Sequence, residues 1–149
     1  MKALIIYDSV YGNTEKLAKA IGEAIAGDVK MIRIGEVIPS QLDSIELLIV
    51  GSPTQGGRPT KPLQEFLNGI ADDSLKNMQI AVFDTRISSK WVGIFGYASN
   101  RIGEMLKKKC GNLLVPPEGF MVVNTKGPLK EGELERATNW AEEIIGFNK

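Results

Sequence analysis

Histidine is absent from this 149-residue sequence, and cysteine occurs once, at Cys110. Without histidine there is no Ser-His-Asp triad, no Cys-His nucleophile pair and no histidine-bearing zinc or haem site. A lone cysteine excludes an internal disulfide and four-cysteine iron–sulfur or zinc centres, and it suits a reducing cytosol. Charge of one sign is also missing, because 18 Lys plus Arg balance 18 Asp plus Glu. That balance argues against a dedicated nucleic-acid binder or a polybasic membrane binder. No apolar run approaches the ~20 residues of a membrane span. The apolar start through Tyr7 is cut short by Asp8, with no small-residue cleavage site behind it, so it does not read as a secretory leader. A cytoplasmic location is the expectation. Carboxylate chemistry with Mg²⁺, or an organic cofactor, remains open.

What is present describes one domain. The length matches the prior of about 150 residues per domain. Apolar residues make up 43% and charged residues 24%, ordinary values for a globular chain with a full core. Short apolar runs alternate with amphipathic segments. Ala3 to Tyr7 is apolar without period-two alternation, as for a strand covered on both faces. Leu17, Ala18, Ile21, Ala24 and Ile25 recur at helical spacing within 14–26. Strands are expected at 29–34, 47–50 and 79–83, and a fifth strand region at 113–115 and 120–123, interrupted by Pro116 and Pro117. Helices are expected at 61–70, at 98–110 with Gly111 as C-cap, and at 134–145. Only a short helical turn fits after the second strand. Cys110 reads as a small packed residue, Trp140 as core, and Gly127-Pro128-Leu129 as a turn. This pattern predicts an α/β fold, a parallel sheet wrapped on both faces.

In such sheets ligands bind beyond the carboxyl ends of the strands, where strand order reverses. Three loops there are unusual. The first, Asp8 to Glu15, offers hydroxyls at Ser9 and Thr14, an amide at Asn13 and a permissive Gly12, with no Lys or Arg. It lacks both common glycine-rich nucleotide patterns and reads as a site for a terminal phosphate held by neutral donors at a helix start. A plain helix-capping turn is the alternative. The second, Gly51 to Thr60, pairs Gly56 with Gly57 between prolines and exceeds the usual βα length of about 2–6 residues. The third, Asp84 to Tyr97, carries Trp91, Phe95 and Tyr97. Trp91 and Tyr97 are candidates to stack on a planar ligand, and Phe95 to pin the loop.

Together the segments Tyr-Asp-Ser-Val-Tyr-Gly-Asn-Thr-Glu at 7–15, Gly-Ser-Pro-Thr-Gln-Gly-Gly at 51–57 and the loop at 84–97 resemble the flavodoxin family. The match spans essentially the whole chain. The resemblance implies a short-chain, flavodoxin-like three-layer sandwich. Its sheet would have five parallel strands in the order 2-1-3-4-5, with helices on both faces, binding FMN noncovalently. It places Ser9, Val10, Tyr11, Gly12, Asn13 and Thr14 at the FMN phosphate. It puts Pro53, Thr54, Gln55, Gly56, Gly57 and Arg58 along the isoalloxazine, and Asp84, Thr85, Arg86, Trp91, Gly96 and Tyr97 across from them. The Gly56–Gly57 peptide would sit near the flavin N5, where a flip of its carbonyl favours the neutral semiquinone.

Two departures from the family pattern shape the reading. Gln55 stands where many flavodoxins have Trp, so either Trp91 supplies a stacking ring or one flavin face is left uncovered. The chain is neutral where many relatives are acidic, and Arg58, Lys61, Arg86 and Lys90 lie on or beside the flavin loops. Cations there stabilise the anionic hydroquinone and predict a milder reductant.

The function implied is an electron carrier working through semiquinone and hydroquinone states, monomeric and without nucleic-acid or membrane partners. It would accept electrons from a flavin or iron–sulfur reductase and dock transiently with an acceptor enzyme. The alternative is an FMN-dependent NAD(P)H:quinone-type reductase. A phospho-receiver domain shares the strand order but needs an Asp ending the third strand and a Lys ending the fifth. Val50-Gly51-Ser52 and Leu114-Val115-Pro116 supply neither.

Overall fold

Ala3, Leu4, Ile5, Ile6 and Tyr7 are all buried in strand β1 (Lys2–Tyr7), because helices cover both faces of the sheet to which it is central. A computed structural model describes residues 1–88 and 96–147; the expected stacking residue Trp91, and Lys90 and Phe95 with it, lie outside them. The chain continues through α1 (Asn13–Ala24), β2 (Asp28–Arg33), β3 (Leu47–Pro53), α2 (Lys61–Gly69), β4 (Gln79–Ile87) and α3 (Ala98–Lys108). It ends with β5 (Asn112–Leu113), β6 (Glu118–Val122) and α4 (Glu133–Phe147). Two short 3₁₀ turns, Ile34–Glu36 and Pro39–Leu42, replace a helix after β2. No helix among the described residues is long and apolar enough to cross a membrane.

The sheet runs β2-β1-β3-β4-β5, with β6 also paired to β4, and all its ladders are parallel. β5 pairs with Gln79 and Ile80, and β6 with Phe83 to Ile87. They are two pieces of one fifth strand, split at Pro116 and Pro117, as the prolines predict: proline has no N–H to give a ladder. Alternate β1 side chains feed two cores. Ile5 packs with Leu17, Ile21, Phe83, Phe120 and Trp140 on the α1/α4 side. Leu4 and Ile6 pack with Leu63, Leu67, Val82, Ile102 and Leu106 on the α2/α3 side.

Two strands outrun their sequence limits. β3 is expected to end at Val50 but reaches Pro53, and β4 is expected to end at Phe83 but reaches Ile87. The pairs Gly51–Phe83, Ser52–Asp84 and Pro53–Thr85 extend the ladder. The polar groups survive there because each is partnered. The Ser52 hydroxyl accepts the Thr60 N–H at 3.1 Å and donates to the Pro53 carbonyl at 2.9 Å, and Asp84 is paired with Arg86. The second and third loops are therefore shorter than their composition suggests.

At the end of α3 the left-handed residue is Cys110, at φ 72°, not Gly111. Cys110 N–H bonds to Lys107 O and Gly111 N–H to Leu106 O, each at 3.0 Å, the two bonds of a Schellman cap. Gly111 sits in a tight space, where a Cβ would lie 3.0 Å from Ile80 Cδ1 and 3.1 Å from Leu106 O, so these neighbours would have to give. Cys110 is exposed, not packed as expected. Its thiol donates to the Asp73 carboxylate at 2.9 Å, which raises its pKa and keeps it protonated.

Beyond β6 the chain turns back on itself. Val123 N–H reaches Pro128 O and Lys130 N–H reaches Met121 O, both at 2.9 Å. Glu133 at the start of α4 then accepts the Met121 N–H at 2.7 Å and pairs with Arg136 at 2.9 Å. The Arg136 guanidinium holds the Glu133 carboxyl below the ordinary glutamate range. A depressed carboxylate contributes stability above the unfolded pKa of about 4.3 and loses it as pH falls through the lower folded value. Thermal melts of the wild type are expected to be flat above about pH 5 and to drop below it, and Glu133→Gln to reduce that acid dependence. Parallel profiles for the two proteins would contradict the assignment.

Candidate functional site

The order of the sheet reverses between β1 and β3, and a cavity of about 430 Å³ opens beyond their carboxyl ends. That volume lies in the ordinary range of small-molecule sites, about 300–1,000 Å³. Its walls are built by Ser9, Val10, Tyr11, Asn13 and Thr14 from the first loop, and Pro53, Thr54, Gln55, Gly56 and Gly57 from the second. Thr85, Arg86 and Ile87 at the end of β4 complete the ring with Val122 and Thr125.

The first loop is folded around its own serine. Ser9 N–H bonds to Asp8 Oδ1 at 2.8 Å, while the Ser9 hydroxyl oxygen accepts the N–H groups of Gly12 (3.1 Å) and Glu15 (3.3 Å). Gly12 takes φ 92° to make the turn into α1, a conformation that disfavours a side chain. The backbone N–H groups of Val10, Tyr11, Asn13 and Thr14 have no acceptor among the described residues. Four such donors at the positive end of a helix dipole have the chemistry to hold an anion. Ser9 and Thr14 are buried. Thr14 Oγ1 shares a hydrogen bond of 3.0 Å with Thr85 Oγ1, tying the loop to β4.

A strut missed at the sequence level holds this loop from behind. Arg33 at the end of β2 donates to Ser9 O and to Glu15 Oε2, each at 2.8 Å. Tyr7 donates its hydroxyl to the same Glu15 oxygen at 2.8 Å. These hydrogen bonds, Tyr7 first and Arg33 second, lower the Glu15 pKa. The Tyr7 hydroxyl is raised, by burial and then by Glu15. The strut ties the start of the loop, at Ser9 O, to the first turn of α1, at Glu15.

Opposite, Asp84 is fully buried, lies off the cavity wall and touches no open space. It accepts Arg86 Nε and Nη2, each at 2.7 Å, and the Ser99 N–H at 2.9 Å. Arg86 lies over the Tyr97 ring, 3.4 Å from its centroid, so Tyr97 is occupied by Arg86 and does not line the cavity. The Arg86 charge is thus neutralised in place. Of the other cations expected beside the site, Arg58 and Lys61 are exposed and neither lines the wall, while Lys90 lies outside the described residues. Gly12 and Gly96 also stay off the wall. Ile87, Val122 and Thr125 line it without having been anticipated. Thr125 arrives with the turn after β6, where Gly127 at φ 102° packs on the Asn13 carboxamide and Asn13 donates to Lys126 O at 3.2 Å. Gly127 carried a sequence signal, as a Gly-Pro pair, but nothing in the sequence linked it to Asn13.

No group of three or more Asp, Glu or Cys among the described residues could hold a metal ion. The chemistry of the donor set does fit a phosphorylated, planar cofactor: free backbone N–H groups and buried hydroxyls at one end, glycine, proline and aliphatic surface at the other.

Comparison with known proteins points the same way. The flavodoxin family model matches residues 5–142. Oxidised flavodoxin 1 from Bacillus cereus is similar over 98% of both chains, at 20% identity and TM-score 0.82. A flavodoxin from the domain Archaea matches over 99% of both, at 24% identity and TM-score 0.82. Rubredoxin:oxygen oxidoreductase from Desulfovibrio gigas matches over 99% of this chain but 36% of its own length, at 22% identity and TM-score 0.78. With the family model covering nearly all of the sequence, this chain belongs to the flavodoxin family of FMN-binding electron-transfer proteins.

Proposed function

We propose that this protein is a monomeric carrier that takes electrons one at a time from a reductase and hands them to an acceptor enzyme at the cavity mouth. The observation that carries the reading is the set of four N–H groups at the start of α1 that have no acceptor among the described residues, on residues lining a cavity with no Asp, Glu or Cys in its wall. Val10, Tyr11, Asn13 and Thr14 bind the FMN phosphate through those N–H groups, with Ser9 and Thr14 hydroxyls beside them. Pro53 to Gly57 and Thr85 to Ile87 hold the ring and exclude water from one side. Bound FMN supplies the capacity to store one or two electrons, while the protein tunes it by hydrogen bonds and nearby charge.

Arg58, next in sequence to Gly57 of the wall, is exposed, and Lys61 is 86% exposed. An acidic partner surface suits them, with docking that weakens as salt rises. The test is anaerobic mixing of the FMN-loaded protein with NADPH, alone and with a flavoprotein reductase. Bleaching of the flavin is expected only when the reductase is present. Rapid bleaching by NADPH alone would overturn the carrier reading in favour of an NAD(P)H-dependent reductase.

A further inference from the structure

Gln55 and Arg58 close a two-residue turn on the cavity wall. Gln55 N–H bonds to Arg58 O at 2.8 Å and Arg58 N–H returns to Gln55 O at 3.0 Å. Gly56 and Gly57 between them take φ 57° and 79°, the signature of a type I′ turn. Such a turn has one inexpensive rearrangement. Rotation of the peptide between its two central residues gives a type II′ turn, in which only the first keeps a positive φ. Both positions are glycine, so neither state is penalised by a Cβ. The moving atom is the Gly56 carbonyl oxygen.

The next carbonyl is not free to follow. Arg101, in the first turn of α3, donates its Nε–H to Gly57 O at 2.8 Å across 44 residues of sequence. Its helix is itself anchored, by Ala98 N–H on Thr54 Oγ1 at 3.1 Å and Ser99 N–H on Asp84 at 2.9 Å. The loop is thus held at Thr54, at the Gln55–Arg58 pair and at Gly57 O, and the Gly56–Gly57 peptide is the part with no hydrogen-bond partner among the described residues.

We infer that Arg101 is a positioning residue, which restricts this loop to rotation of the Gly56–Gly57 peptide and so sets how much one-electron-reduced flavin accumulates. The second clause rests on the FMN reading above. Turned toward the cavity, the Gly56 carbonyl is an acceptor. A flavin ring needs one there only after taking one electron from an external reductant and one proton from water. A loop with a single moving peptide offers that acceptor in a fixed place; a loop free to move as a whole does not.

The test uses the full chain as wild type, Arg101→Met and Arg101→Lys. In the apoprotein, ¹⁵N relaxation reads the order parameters of Gln55 and Arg58, whose amides flank the rotating peptide and do not belong to it. The expected change in Arg101→Met is a fall from about 0.85 to below about 0.6. In the FMN-loaded protein, an anaerobic dithionite titration is expected to show at least a threefold lower maximum of the one-electron form, at roughly unchanged FMN affinity. Arg101→Lys, which keeps the charge and one donor, is expected to fall between. Unchanged order parameters in Arg101→Met would overturn the clamp. So would an unchanged one-electron maximum, or a lost FMN affinity with the loop still rigid. If the wild type binds no FMN, the cofactor reading fails by itself, and the order parameters still decide whether Arg101 holds the loop.

Discussion

Replacing Asp84 by Asn is expected to cost about 3–5 kcal/mol of folding stability, the largest effect of any single change considered for this chain. Asp84 is fully buried and its partner Arg86 only 13% exposed. The carboxylate takes two guanidinium N–H bonds and one backbone N–H. Asparagine keeps the volume and one acceptor oxygen but removes the charge and the second acceptor, leaving a desolvated cation with one amide oxygen, Ser99 Oγ at 3.3 Å and the Tyr97 ring. Arg86 lies directly over Gly119 of β6. A Cβ on Gly119 would lie 2.2 Å from its guanidinium carbon, so the glycine is there to let it through. Adding Arg86→Met to Asp84→Asn is expected to recover much of the loss, since it removes the orphaned charge. Urea unfolding of the two variants measures this. A loss under 1 kcal/mol for Asp84→Asn would contradict the picture of a buried, mutually dependent pair.

Gly51→Ala is expected to cost about 3 kcal/mol, the upper end for overpacking a core. An added Cβ would sit 2.1 Å from Phe83 Cζ. Phe83 cannot yield easily, because it packs edge-to-face with Phe120 and Trp140 at centroid distances of 6.1 and 5.9 Å. The strain also reaches the ligand end of the sheet, since Gly51 O accepts the Asp8 N–H at 3.1 Å just before the first loop. FMN affinity should therefore fall together with stability. Phe83→Leu in the Gly51→Ala background should restore part of both. A variant within about 0.5 kcal/mol of wild type, the ordinary range of surface changes, would mean the ring moves more freely than its neighbours allow.

Much of this architecture was legible in the sequence. Leu47 to Val50 reads as a strand buried on both faces because every residue is aliphatic. α1 reads as amphipathic because Leu17, Ala18 and Ile21 recur on one side, and all are buried. The split fifth strand follows from two prolines. Reading failed where a polar residue was neutralised by a partner distant in sequence or hidden by geometry. Asp84 and Arg86 interrupt an apolar run, and only their mutual pairing lets β4 continue through them. Arg33 and Arg101 look like ordinary surface cations, yet each grips a loop carbonyl, 24 and 44 residues away. Composition also drew the Asp84–Tyr97 loop into the site as a whole, whereas Tyr97 is taken by Arg86 and Thr125 enters from a turn that carried no binding signal.

The most direct test is a fluorescence-quenching titration of the apoprotein with FMN, with riboflavin as the control. If four free N–H groups at the start of α1 grip the phosphate, FMN binds saturably at one per chain. Riboflavin then binds at least about a hundredfold more weakly, a difference of about 2.7 kcal/mol. Equal affinity for the two flavins, or no quenching by FMN, would contradict the account.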